Sequence, residues 1–259
     1  MNDTINIRGR LIDLGKPCVM GILNVTPDSF FEESRKQTEH NIAERANQIV
    51  EEGGKMIDVG ACSTRPDALL VDEEEELRRL AFALPVIRRE QPDAIVSVDT
   101  FRPQVARRCV EEWGADIIND VKGSEEMWQL VASLHVPYLY MSSKSCLHDV
   151  LLDFADVTQR LHGLGVCDII LDPGFGFGKT LGQNYQLLSE LEKLQVMGMP
   201  VLVGVSRKRM VYQLLGTTPT EALNGTTVLH TIALQKGASI LRVHDVRAAM
   251  ETILIMNQL

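Results

Sequence analysis

Ile169-Ile170-Leu171-Asp172-Pro173-Gly174-Phe175-Gly176-Phe177-Gly178-Lys179 is the stretch from which the fold is read. It opens with a short continuous apolar run, which suits a strand covered on both faces, as in a parallel sheet. A polar residue and a proline–glycine turn end the run, and a helical stretch over residues 183–195 follows. The same unit recurs along the chain. Apolar, β-rich runs stand at residues 19–23, 56–59, 95–98, 116–118, 136–140, 169–171, 201–205 and 240–243, eight in all. The stretches between them, among them 39–52, 73–89 and 220–236, are long enough for helical parallel crossovers. Ahead of the first unit, residues 5–8 and 10–14 flank Gly9 and predict a hairpin that closes the barrel floor. Eight such units fill most of the 259 residues, and about 250 residues is the usual size of this architecture. The expected fold is therefore α/β, a (β/α)8 TIM barrel with a short N-terminal β-hairpin, as one domain over residues 1–259. Its rival is an open, doubly wound sheet.

Composition narrows the function. A net charge of −9 argues against a nucleic-acid partner or an anionic membrane surface, so any bound anion must meet a local basic pocket. No apolar stretch reaches the length of a membrane span, and Met1 to Arg10 is too polar for a secretory signal. Five cysteines, widely spaced and without a C-x-x-C pair, fit a reducing cytoplasm better than a disulfide framework or zinc site.

The residues that close the strand-like runs are Asn24, Gly60, Asp99, Asn119, Met141, Asp172, Ser206 and His244. Barrels of this kind carry their active sites at the C-terminal strand ends, so these side chains would meet at one mouth. An isolated Asp or Asn after a strand is more often a helix cap or turn former; the row as a whole points to a site. In the Asp172 loop, three alternate glycines let backbone approach a ligand, and Phe175 and Phe177 are read as flat apolar surface. Its spacing is not that of a Walker A loop. Ser206-Arg207-Lys208-Arg209 opens a helix where such barrels commonly bind anions. Three basic residues in four cannot all face one pocket, and Lys208 is the one assigned there. Arg242 and His244, two apart in an apolar strand, share one face and complete an anion site. Asn24-Val25-Thr26-Pro27-Asp28-Ser29-Phe30 and Ser63-Thr64-Arg65-Pro66 each pair a stiffening proline with anion- or metal-binding types.

Taken together, these segments resemble the dihydropteroate synthase family. Met20 to Phe30, Ser63-Thr64-Arg65-Pro66, Ser97-Val98-Asp99-Thr100, Ile118-Asn119-Asp120-Val121, the Asp172 to Thr180 loop, Ser206-Arg207-Lys208 and Arg242-Val243-His244-Asp245-Val246 match its blocks in order. The resemblance runs from about Arg8 to the end of the chain. It implies a transferase of folate biosynthesis, a sulfonamide target, joining a pterin diphosphate to 4-aminobenzoate. It also implies a division of labour. Asp99, Asn119, Asp172 and Lys208 would hold the pterin, with Asp99, Asp172 and Lys208 closest to the chemistry. Thr64, Arg65, Arg242 and His244 would hold the diphosphate, with Asn24 on a Mg2+ ion. Pro66, Phe177, Ser206 and Lys208 would shape the aminobenzoate site. A homodimer is implied as well. The expected mechanism is early loss of diphosphate to a pterin-stabilised cation, captured by the amine without a covalent enzyme intermediate.

The chain departs from the family pattern in three places. Phe31-Glu32-Glu33-Ser34 stand where the family commonly has Ser-Asp-Gly-Gly; Cys62 and Asp67 replace a usual Glu and Gly; Met141-Ser142-Ser143 replaces Met-His-Met. Two other readings remain open. One is a methyltetrahydrofolate:corrinoid methyltransferase, which needs no diphosphate site. The other is a duplicated, catalytically weak or inactive synthase that binds pterin or stabilises a partner.

Overall fold

The structure, a computed structural model, describes residues 4–25, 35–62 and 71–259. β1 (Thr4–Ile7) and β2 (Arg10–Asp13) pair antiparallel, and Arg8 and Gly9, both at positive φ, make the two-residue turn between them. That left-handed pair suits the twist of a tight hairpin. It also takes Arg8 out of the strand in which the sequence places it. Eight parallel strands follow: β3 (Cys18–Asn24), β4 (Met56–Gly60), β5 (Ile95–Asp99), β6 (Ile117–Asp120), β7 (Tyr138–Met141), β8 (Ile169–Asp172), β9 (Leu202–Val203) and β10 (Ile240–Val243). They pair in the order β8-β7-β6-β5-β4-β3-β10-β9, and a parallel bridge from Leu171 to Val201 closes the ring. Closure removes the doubly wound alternative, which requires two free edges.

The helices are α1 (Arg35–Glu51), α2 (Glu73–Glu90), α3 (Pro103–Glu111), α4 (Glu125–Leu134), α5 (Leu147–Gly163), α6 (Leu181–Ser189), α7 (Arg209–Leu215), α8 (Leu223–Gln235) and α9 (Val246–Met256). Their starts are written locally. Asp72 and Ser124 cap α2 and α4 by accepting backbone N–H groups, and Thr180 with Gln183 forms a capping box on α6. α2 carries four glutamates in its first turn and Arg88 and Arg89 in its last, as the helix dipole favours. The helix expected over 183–195 ends at Ser189 and continues as a 3-10 turn, Leu191–Met197. Buried Leu191 and Leu194, three apart, fit that tighter period.

Strand parity organises the interior. Met20, Met56, Ile95, Ile117, Leu139, Ile170, Leu202 and Ile240 are buried together with Ile5, Ile7 and Leu14 of the N-terminal segment, so the hairpin and the lower inward layer make one apolar plug. The next inward position, two residues on, is Ile22, Asp58, Ser97, Asn119, Met141, Asp172, Gly204 or Arg242, polar in five of the eight strands. The same alternation that fills the floor thus aims polar groups at the mouth. Asp116, expected inside a strand, instead ties the hairpin to the barrel. Its carboxylate accepts from Arg8 Nε at 2.6 Å, Arg88 Nη2 at 2.6 Å and the Val96 N–H at 2.8 Å.

Candidate active site

The mouth is organised around a buried carboxylate. Asp58, in β4 and 0% exposed, accepts from Ser97 Oγ at 2.6 Å, from Asn119 Nδ2 at 3.2 Å and from Arg242 Nε at 2.6 Å. Arg242 Nη2 continues to Asp99 at 2.8 Å. β4, β5, β6 and β10 are therefore joined across the cup by side chains. Burial works against charge on Arg242, but Asp58 and Asp99 outweigh it and raise the guanidinium above its ordinary value. Burial pushes Asp99 up, with Arg242 opposing. Reading only the residue after each strand passes over Asp58 and Ser97; their parity with Met56 and Ile95 was the signal available.

The second part of the cup comes from β8 and the segment before α7. Asp172 is buried and accepts the Gly174 N–H at 2.7 Å; burial pushes its carboxyl up, with Lys208 opposing. Lys208 donates to the Phe175 carbonyl, and its ammonium lies 4.7 Å from the centre of the Phe177 ring. Desolvation outweighs the pull of Asp172 and lowers Lys208 to about 8. Glycine is needed at 176: φ is +82°, and a Cβ there would lie 3.2 Å from Lys208 Cδ. Phe175 is 0% exposed and belongs to the core, so of these two rings it is Phe177 that faces Lys208, which corrects the reading of both as surface. Lys179 binds the loop from within, donating to the Gly174 carbonyl at 2.8 Å and lying 3.5 Å from that of Ser142. The divergent Met141-Ser142-Ser143 segment thus packs on the Asp172 loop.

Of the three neighbouring basic residues, Arg207 makes two bonds to Asp245, at 2.8 and 2.5 Å, and Arg209 is exposed, which leaves Lys208 for the cup. Ser206 Oγ accepts the His244 N–H at 3.2 Å and lies 3.3 Å from its Nδ1. Burial, with Arg242 adding, draws His244 down to about 4, so at neutral pH it is an uncharged imidazole beside the cations. Thr64, Arg65 and Pro66 lie outside the described residues, as do Phe31-Glu32-Glu33-Ser34 and Asp67. Asn24 is exposed at the end of β3, and a Cβ built on Gly60 would sit 3.4 Å from its Oδ1. Among the described residues no three His, Cys, Asp or Glu side chains group as a metal cluster. One neutral oxygen fits an ion held mainly by phosphate oxygens and water, as Mg2+ is.

These features define a class: a TIM-barrel enzyme whose mouth brings together carboxylates, an amide and two cations, the donor and acceptor types that a hydrogen-bonding heterocycle requires. The chain belongs to the pterin binding enzyme family, which residues 20–244 match. Dihydropteroate synthase of Streptococcus pyogenes serotype M18 is 38% identical, over 97% of this chain and 98% of the relative. Dihydropteroate synthase of Xanthomonas albilineans, solved with 4-aminobenzoic acid, superposes with a TM-score of 0.89 at 37% identity, covering 99% of this chain and 97% of the other. The Yersinia pestis enzyme, solved with a pterin–sulfa conjugate, gives 0.85 at 34% identity over 98% and 97%.

Proposed function

We propose that this chain condenses 6-hydroxymethyl-7,8-dihydropterin diphosphate with 4-aminobenzoate, giving 7,8-dihydropteroate and diphosphate on the route to folate. The observation that carries the reading is the convergence of Asp99, Asn119, Asp172 and Lys208 on the Asp58–Arg242 centre of a barrel whose relatives are dihydropteroate synthases. The acceptors of Asp99, Asn119 and Asp172 read the donor edge of the pterin, and Lys208 serves an acceptor on it. The Phe177 ring, with Pro66, Ser206 and Lys208, borders the aminobenzoate. Thr64, Arg65, Arg242 and His244 hold the diphosphate. When bound, Mg2+ offsets phosphate charge, and Asn24 is the residue that would hold it.

In the reaction the electron pair of the carbon–oxygen bond leaves with diphosphate. Asp99 and Asp172 favour the resulting pterin cation, and the cations of the cup favour the departing anion. The lone pair of the aminobenzoate nitrogen then forms the carbon–nitrogen bond, and the surplus proton passes to diphosphate or water. No enzyme nucleophile takes part.

Two further expectations belong to this reading. A homodimer is supported by exposed Leu214, Leu215, Leu223, Val228 and Ile255 on the outer helices. A cytoplasmic location is supported by the five cysteines, all present as thiols, as a reducing compartment keeps them; among the described residues no helix is long and apolar enough to cross a membrane. The test is growth of a strain lacking its own synthase, without thymidine and related supplements. Rescue supports the reading. No rescue by well-expressed protein that still binds pterin would instead favour a binding paralogue, and methyl transfer with a corrinoid protein would favour the methyltransferase.

A further inference from the structure

Asp58 does not sit where it would touch a ligand; it lies one position below the rim, 0% exposed, with bonds to three groups on three other strands. We infer that Asp58 is a positioning residue that decides which end of the Asn119 amide, and which edge of the Arg242 guanidinium, the cup presents. The inference rests on the pterin reading and gives it a specificity determinant.

The argument is one of donor and acceptor accounting. An ionised carboxylate only accepts. Its Oδ1 takes the Ser97 hydroxyl at 2.6 Å, and its Oδ2 takes Arg242 Nε at 2.6 Å and Asn119 Nδ2 at 3.2 Å. Asn119 must therefore turn its NH2 inward, because the reverse rotamer would set a carbonyl oxygen against a buried carboxylate. What Asn119 has left is Oδ1 and its second Nδ2–H, with Oδ1 fixed on the side away from Asp58, and among the described residues no hydrogen bond reaches that oxygen. Asp99 and Asp172 are acceptors too. The three rim groups then select a heterocycle edge made of N–H and NH2 donors, and Asn119, which by itself could serve either edge, is committed by the residue beneath it. Asp58 likewise holds Nε of Arg242 down while Nη2 reaches Asp99, which fixes the guanidinium plane across the cup.

The test compares binding of 6-hydroxymethylpterin with that of its 2-oxo counterpart, 6-hydroxymethyllumazine, in which the amino donor is replaced by an acceptor. Calorimetry on the full chain is run for wild type, Asp58→Asn and Ser97→Ala. Wild type should prefer the pterin. In Asp58→Asn the new amide can face Asn119 with either end, so the preference should fall roughly tenfold, the size of one hydrogen bond. The KM for the pterin diphosphate should rise while that for 4-aminobenzoate stays within about threefold. A merely structural role would weaken both ligands alike and leave their ratio unchanged, which overturns the inference. If Asp58→Asn does not fold, Ser97→Ala decides: loosening Asp58 should lower the ratio, and an unchanged ratio contradicts the proposal. Failure of the wild type to bind either compound would sink the pterin reading and this inference with it.

Discussion

Arg242 spans two carboxylates of different depth, Asp58 below at 2.6 Å and Asp99 at the rim at 2.8 Å. The cation thus has a structural share and a rim share. Removing it leaves two desolvated carboxylates without their partner, so Arg242→Met should cost about 3–5 kcal/mol in stability and show as a lower midpoint in urea. Arg242→Lys should recover part of that stability but little activity, because an ammonium cannot reach both carboxylates in the fixed fork geometry. Full activity in Arg242→Lys would show that the bidentate span is dispensable.

Lys208 sets an alkaline limit. Its folded value, about 8, lies below the ordinary 10.5, so between the two the unfolded chain binds more protons. Its contribution to folding therefore becomes more favourable as pH rises from about 8 towards 10.5, while the ammonium needed in the cup is lost over the same window. The profile of kcat/KM, which reports the free enzyme, should fall as pH rises through about 8. Lys208→Arg, which stays charged, should lower activity yet move that limb upward. A limb unmoved in Lys208→Arg would assign it to another group, with Lys179, also drawn to about 8, next in line.

Asp172→Asn separates charge from shape. The amide oxygen can still accept the Gly174 N–H, now held at 2.7 Å, so the loop should keep its form. What disappears is the negative charge facing Lys208 and the developing cation. Turnover should drop about 100-fold with little change in melting temperature. Near-normal turnover would remove Asp172 from the chemistry.

Asp116→Ala probes the floor, far from the mouth. It deletes the ties from Arg8 and Arg88 and the acceptor of the Val96 N–H. Stability should fall by about 3 kcal/mol, while turnover below the unfolding range is unchanged. A loss of turnover without loss of stability would mean that the floor communicates with the site.

The fold was legible because parallel strands buried on both faces must be apolar throughout, as Ile169-Ile170-Leu171 is, and because such runs recur in alternation with longer helical stretches along the chain. Asp99 and Asp172 were legible because they close strands, and in a barrel the strand end is the site. Asp58 was not, because a lone acid within an otherwise apolar strand carries no local mark; only the period of two, counted from Met56, places it inward. Arg207 and Lys208 are neighbours of equal charge, and their separate fates depend on Asp245, 38 residues away from Arg207 in sequence. The run 201–205 shows the opposite case, where pairing stops after Leu202–Val203 and inward-facing Gly204 brings the chain close to Lys208 and Arg242.

The central claim is tested most directly by following diphosphate release from 6-hydroxymethyl-7,8-dihydropterin diphosphate, with and without 4-aminobenzoate and Mg2+. The account predicts sustained release, matched by dihydropteroate, only when both additions are present, and at most slow release with Mg2+ alone. Tight pterin binding with no release under any of these conditions would contradict it.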